Sequence, residues 1–323
     1  MGSDRLPKVV ITGANGFIGR RLCVVLKEKG YFVRGVVRNN VRNIPGVEEY
    51  FKVEDICEST SWKHVFAGVD TVIHLAAHVC NINYQANELA ETVHKTNVLG
   101  TERLARMAAE GGVKRFIFTS SVKVNGEGSL RAYTENDIPA PQSIYGNSKW
   151  SAEKSLASVG TEASLEIVIL RLPLVYGPRD KGTFNDLIKI IGIGLPLPFK
   201  NINNRRSFLY IDNLVDAIAT CIVHPLAADE TFMVSDDKDI ATPDLIKIIA
   251  ETISKKPFLF YLHPYILKML CKIFGNAENF NRLTGSLFVD SSKIRNLLGW
   301  KPPFTLEEGI KETLKYYGSD KNS

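Results

Sequence analysis

Tyr145 and Lys149 stand four residues apart in Tyr145-Gly146-Asn147-Ser148-Lys149, at the start of a helical pattern that continues through Trp150-Ser151-Ala152-Glu153-Lys154. Positions i and i+4 share one helix face, so the spacing keeps an ammonium close to a phenol. A neighbouring cation favours the phenolate, lowers the tyrosine pKa toward working pH and makes it usable as an acid or base. Upstream, Ser121 closes the strand pattern 116–120 and can hydrogen-bond an oxygen on which charge develops. A tyrosine and a lysine at this spacing are common surface residues. They become specific only in company with a second element.

That element lies near the N-terminus, where Val9-Val10-Ile11-Thr12 runs into Gly13-Ala14-Asn15-Gly16-Phe17-Ile18-Gly19, followed by a helical stretch over residues 20–29. Glycines at 13, 16 and 19 permit a tight turn, close approach of backbone to a pyrophosphate and close helix packing, and the helix N-terminus offers N–H groups to the anion. The second strand ends Val36-Val37-Arg38-Asn39, without the acid that takes the ribose hydroxyls of NAD. Arg38 is placed to meet a 2′-phosphate instead, a modest lean toward NADP(H) with NAD kept as the alternative. Asp55-Ile56 follows the third strand, and His74-Leu75-Ala76-Ala77 ends the fourth with small residues against which a cofactor can lie. His74 has no partner at metal-ligand spacing, and no metal is expected.

The elements that must position these groups follow from periodicity. Short β-branched runs at 8–12, 32–37, 50–52, 71–75, 115–120 and 166–171 alternate with helical patterns, which predicts a doubly wound parallel α/β sheet, because parallel strands need crossovers that cover both faces. After about residue 178 the chain turns to Gly, Pro and Asn-rich connections, and a helical pattern from about residue 212 returns it to the first unit. The expected division is a Rossmann domain of residues 1–177 plus about 207–228, and a smaller α/β substrate domain of 178–206 plus 229–323.

At 323 residues and 45% hydrophobic, the chain has enough apolar material for both units and is not disordered. Its net charge of +5 is spread out, with no basic arm interleaved with aromatics, so no nucleic-acid partner is expected. Five cysteines without paired spacing suit buried reduced thiols and a cytoplasmic setting. The beginning of the sequence has no apolar signal region, and no run reaches the ~20 apolar residues of a membrane span.

Together the residues resemble the extended short-chain dehydrogenase/reductase family, of the NAD-dependent epimerase/dehydratase type, over nearly the whole chain. The resemblance rests on the turn at 12–19, Asp55-Ile56, Leu75-Ala76-Ala77, Asn97, Ser120-Ser121, Tyr145 with Lys149, and Arg171-Leu172-Pro173-Leu174-Val175-Tyr176-Gly177-Pro178. It implies that Tyr145 is the acid/base, that Lys149 holds the nicotinamide ribose and tunes the tyrosine, and that Ser121 orients the substrate oxygen. It further implies that Asp55 meets the adenine and that Asn97, Thr119 and Pro173 also lie along the dinucleotide. Dehydratases of the family place an Asp-Glu pair after the catalytic hydroxyl residue, whereas Val122-Lys123 follow Ser121 here, so a 4,6-dehydratase is disfavoured. Asn125 replaces the family's usual tyrosine, a variant that resembles bacterial polysaccharide-biosynthesis enzymes.

At the substrate end, Arg205-Arg206-Ser207-Phe208-Leu209-Tyr210 resembles the segment whose arginine grips a sugar diphosphate, which carries Arg206 to that role. A planar guanidinium can bind two phosphate oxygens at once. Arg282 is a second clamp by position, and Lys123 lies beside Ser121. The resemblance thus implies chemistry at C4 of a nucleotide-diphosphate hexose, as a 4-epimerase or as a reductase of a 4-keto-6-deoxy hexosamine. A lipid-linked diphosphosugar is a further alternative, and a dinucleotide-sensing protein without catalysis is one from another class. A homodimer is expected from the resemblance alone. The apolar stretch 257–274, with Lys268 and Lys272, fits either an amphipathic membrane-surface element or, as the favoured expectation, packing on the core or across a dimer.

Overall fold

The six β-branched runs form strands because their side chains alternate between two apolar layers. In β1 (Lys8–Thr12), Val9 and Ile11 enter one core and Val10 the other, and in β5 (Arg115–Ser121), Ile117 opposes Phe116 and Phe118 in the same way. The computed structural model describes residues 7–38, 43–78, 86–180, 182–263, 265–266, 269 and 283–319. With β2 (Phe32–Val37), β3 (Glu49–Lys52), β4 (Thr71–His74), β6 (Glu166–Leu172) and β9 (Thr231–Met233), they build a seven-stranded sheet of order β3-β2-β1-β4-β5-β6-β9, parallel at every pairing. This is the doubly wound α/β arrangement that the alternation predicted.

Helices cover both faces. Leu22 and Leu26 of α1 (Phe17–Glu28) and Leu214 and Ile218 of α6 (Ile211–Val223) fill one layer. Leu104 and Ala108 of α3 (Gly100–Glu110) and Ala152 and Leu156 of α4 (Ile144–Ala163) fill the other. α6 begins within a residue of its expected start, and its last carbonyls are anchored by Arg115, which donates to Cys221 O at 2.7 Å and to Ile222 O and His224 O at 3.0 Å. That satisfies acceptors which a helix end leaves unpaired.

A third apolar cluster gathers Tyr176 of β7 (Leu174–Tyr176), Phe208 and Tyr210 of β8 (Phe208–Tyr210), and Leu187 and Ile191 of α5 (Thr183–Gly192). Ile246 and Ile249 of α7 (Thr242–Thr252) and Leu306 and Ile310 of α9 (Leu306–Ser319) complete it. β7 and β8 form a separate parallel pair. The sheet itself runs past the expected boundary near residue 228, since β9 joins it at 231–233. Ile294 and Leu298 of α8 (Ser292–Leu298) also pack in a sheet-side layer. Three residues of strand are too few to show a period, which is why β9 is invisible to pattern reading.

Candidate active site

The chain leaves β1 into a left-handed Gly13, φ +70°, a conformation in which side chains are strained. The packing there is tight. A Cβ on Gly13 would lie 3.1 Å from Ala76 N, and one on Gly19 2.2 Å from Gly13 O and 2.8 Å from Ala14 Cα. Gly16 is exposed and precedes α1, whose N-terminus has no side-chain cap and no acid in its first turn. Free N–H groups at a helix N-terminus, backbone stripped of side chains, and a location between β1 and β4, where the strand order reverses, fit the pyrophosphate of a dinucleotide. Asn15, Phe17 and Ile18 line this turn, and Asn15 O accepts from Arg20 Nε at 3.0 Å.

His74, 1% exposed, locks the two strand ends together. Its Nδ1 lies 2.6 Å from Thr12 Oγ1 and its Nε2 2.9 Å from Thr101 Oγ1. Thr101 spends its own hydroxyl proton on Asn97 O at 2.7 Å. The ring must therefore donate from Nε2 and accept at Nδ1 from Thr12, which in turn accepts from Ala76 N at 3.3 Å. Burial, with the nearby Lys149 charge adding to it, pushes the imidazole pKa down to about 3, so the ring is neutral. Both ring nitrogens are thus spent on threonine hydroxyls, and among the described residues no group of three or more His, Cys, Asp or Glu is placed to hold a metal ion.

Against β5 and β6 lies α4. Ser143 caps it, accepting from Gly146 N at 3.2 Å, and Tyr145 sits half-buried in its first turn. One turn on, Lys149 is 2% exposed and donates to Thr119 O at 2.9 Å; its ammonium stands 4.4 Å from the Phe118 ring centroid and 5.8 Å from that of Tyr145. Burial drives its pKa down to about 7, against a smaller opposing effect of the Glu153 carboxylate. Thr119 is fixed in turn by donating to His74 O at 3.0 Å. Asn97 lies in a π-helical segment, Lys95–Leu99, between α2 (Ala86–His94) and α3. Its amide bridges His78 O and Ser148 Oγ, both at 3.0 Å, and Ser148 Oγ donates to Tyr145 O at 2.8 Å. The predicted Tyr145, Lys149, Thr119 and Asn97 thus form one connected group beside the glycine turn.

Ser121 ends β5 and accepts from Lys123 N at 3.2 Å, capping the short 3₁₀ turn Val122–Val124. A Cβ on Gly146 would come within 2.7 Å of Lys123 O, so α4 starts directly against this turn. The adjacent Ser120 points the other way, donating to Glu153 Oε1 at 2.5 Å. Glu153 and Arg171 form a buried two-point pair, Nη2 to Oε2 at 2.7 Å and Nε to Oε1 at 3.1 Å, and Arg171 Nη1 reaches Asn125 Oδ1 at 3.1 Å. This network joins α4, β5, β6 and the turn after Ser121. Sequence reading passed over Glu153, although its i+4 spacing from Lys149 puts it on the same inward face.

The other expected residues fall around this centre. Arg38 is exposed at the end of β2; Asp55 is exposed and accepts from Ile56 N at 2.8 Å; Leu75, Ala76 and Ala77 follow β4 partly buried; Pro173 is buried between β6 and β7. Lys123 pairs with Glu127 at 3.1 Å. Arg206, buried before β8, donates to Gly285 O at 2.9 Å. Residues 286–290 lie between the two sides: Ser207 N donates to Leu287 O at 3.1 Å, while Tyr133 N donates to Phe288 O at 2.9 Å. Arg206 is therefore coupled to the Ser121–Tyr145 loop through that segment. Arg282 lies outside the described residues.

Known proteins share this architecture. Residues 9–234 match the family described as NAD dependent epimerase/dehydratase. A UDP-glucose 4-epimerase of Vibrio cholerae is 40% identical over 321 residues, covering 98% of this chain and 97% of its own. An N-acetyl-alpha-D-glucosaminyl-diphospho-ditrans,octacis-undecaprenol 4-epimerase of Escherichia coli O157:H7 is 27% identical, covering 95% and 94%. The crystal structure of a UDP-glucose 4-epimerase with UDP-glucose from Thermotoga maritima superposes with a TM-score of 0.77 at 25% identity, covering 97% of this chain and 99% of that one. With its glycine turn, its Tyr145–Lys149 helix and this breadth of similarity, the chain belongs to the NAD-dependent epimerase/dehydratase family.

Proposed function

We propose that the protein is a 4-epimerase of a nucleotide-diphosphate hexose, a UDP-sugar of the glucose or N-acetylglucosamine type. The observation that carries this reading is the burial of Lys149 between Thr119 O and the Tyr145 ring, at the strand ends that also hold the glycine turn. NAD, when bound, supplies reversible hydride acceptance at the sugar C4. Tyr145 takes the proton of the C4 hydroxyl as the ketone forms and returns it after the sugar turns over. Lys149 holds the phenolate down in energy through space, at a position made dry by Phe118 and Thr119. Ser121 donates to the same sugar oxygen, and Arg206 binds the diphosphate. The 40% identical Vibrio cholerae relative supports the UDP-hexose assignment.

NAD suits the proposal better than NADP(H), because an epimerase restores its oxidised cofactor in every cycle. Arg38 is the feature that favours the second reading, a reductase consuming NADPH. The dinucleotide released on denaturing the purified protein separates them: firmly held NAD supports the epimerase, and an empty site with NADPH affinity supports the reductase. Tyr145→Phe is expected to cut turnover of UDP-glucose or UDP-N-acetylglucosamine by about 10²–10⁴-fold while leaving dinucleotide binding and thermal stability intact. Equal turnover by parent and variant means that the phenol moves no proton, and absence of turnover in both means that the protein only senses dinucleotide.

A further inference from the structure

The second unit exposes apolar side chains that its own core does not use. Just after α5, Ile193 and Leu195 are 71% and 50% exposed; Phe258, Tyr261 and Tyr265 are 61%, 54% and 73% exposed, with Ile266 and Met269 beside them. The two segments lie side by side: Leu197 N donates to Phe258 O at 2.8 Å, and Phe260 N returns to Leu197 O at 3.1 Å. Leu197, Phe199, Leu259 and Leu262 pack inward on the third cluster. The exposed set is thus gathered on two adjoining segments, a clustering that soluble surfaces rarely leave bare.

Within the two segments every charge is basic. No Asp or Glu occurs from residue 187 to 211 or from 252 to 277. Lys200 N is tied to Phe260 O at 3.2 Å, which sets that lysine at the edge of the face, and Lys255 and Lys256 precede Phe258; all three are exposed. Two copies of the chain joined symmetrically through this face would set lysines against lysines, with no acid in either segment to answer them. Aromatic and aliphatic side chains flanked by lysines match instead the level of lipid headgroups, where rings sit in the interface and ammonium groups meet phosphates. No helix among the described residues is long and apolar enough to cross a membrane.

We propose that this face docks the protein on an anionic bilayer surface. The test is sedimentation of the full-length protein with phosphatidylglycerol-containing vesicles and with pure phosphatidylcholine vesicles. The parent is expected to sediment with the anionic vesicles, to bind the neutral ones at least about tenfold more weakly, and to be released by salt. Phe258→Ser/Tyr261→Ser/Tyr265→Ser is expected to lose about tenfold or more of the vesicle affinity, and Lys255→Glu/Lys256→Glu a comparable amount. Both variants should keep parental melting temperature and UDP-sugar turnover, which separates lost docking from lost folding. Absence of vesicle binding, or equal binding by parent and variants, overturns the proposal. So does a variant that changes only the sedimentation mass of the free protein, which makes the face a contact between copies.

Discussion

Replacing Lys149 with methionine sets stability against catalysis in a way that can be read from pH. The side chain keeps its length and loses its charge. In the folded protein burial pulls the lysine pKa from 10.5 to about 7. Because the folded value lies below the unfolded one, folding must expel a proton anywhere between the two. The cost is full below pH 7, shrinks as pH rises and vanishes above about 10.5. At about 1.4 kcal/mol per pKa unit the gap amounts to about 5 kcal/mol at pH 7. Losing the hydrogen bond to Thr119 O returns about 1 kcal/mol of that. Lys149→Met should therefore be more stable than the parent by about 4 kcal/mol at pH 7, and the gain should fall by about 1.4 kcal/mol for each pH unit above that. Urea unfolding of both proteins without added dinucleotide at pH 7, 8 and 9 reads the difference and its slope. Turnover should drop about 10²-fold or more. A variant no more stable than the parent at pH 7, or a gain that does not change with pH, would refute the reasoning.

Asp236 carries a related cost at the junction of the second unit. Burial raises its pKa to about 6, although Tyr210 N, Asn213 Nδ2 and Tyr176 OH all donate to it. With the folded value above the unfolded one, its stabilising contribution is complete below about pH 4 and lost as pH rises through 6, about 3 kcal/mol in all. Asp236→Asn should remove that decline, and melting curves at pH 4.5 and 8 measure it. Gly19→Ala drives a Cβ into Gly13 O and the Ala14 backbone, whereas Gly16→Ala meets Gly13 O only at 3.1 Å. The first should cost about 1–3 kcal/mol and dinucleotide binding with it, and calorimetric titration should find the second much milder. Arg171→Met strands the buried Glu153 carboxylate and should destabilise by about 3–5 kcal/mol. Adding Glu153→Met should recover most of this in a double-mutant cycle, and failure to recover would mean that the pair is not the unit.

Much of the site was legible because its chemistry needs residues close together in the chain. The glycine turn spans 13–19 and Tyr145 and Lys149 are one helical turn apart, so strand, turn and helix signals bracket each of them. Glu153, Arg171 and Asn125 were not legible as partners, since each looks like an ordinary polar residue until α4, β6 and the turn after Ser121 are packed together. His74 is similar: its neutral, donor-at-Nε2 state follows from Thr12 and Thr101, 62 and 27 residues away. The seventh strand escaped because pairing with β6, and no period of its own, makes Thr231–Met233 a strand.

The sequence alone determined the doubly wound sheet and singled out Tyr145, Lys149 and the glycine turn as the candidate acid, cation and phosphate turn, because periodicity and short spacing are local properties of the chain. Tertiary structure alone decided how dry Lys149 is, which way Ser120 and Ser121 point and how far Arg206 is coupled to the loop before Tyr145. It also left the lysine-edged apolar face of the second unit outside the core. Burial and charge depend on neighbours brought in from distant segments, and no window of the sequence contains them.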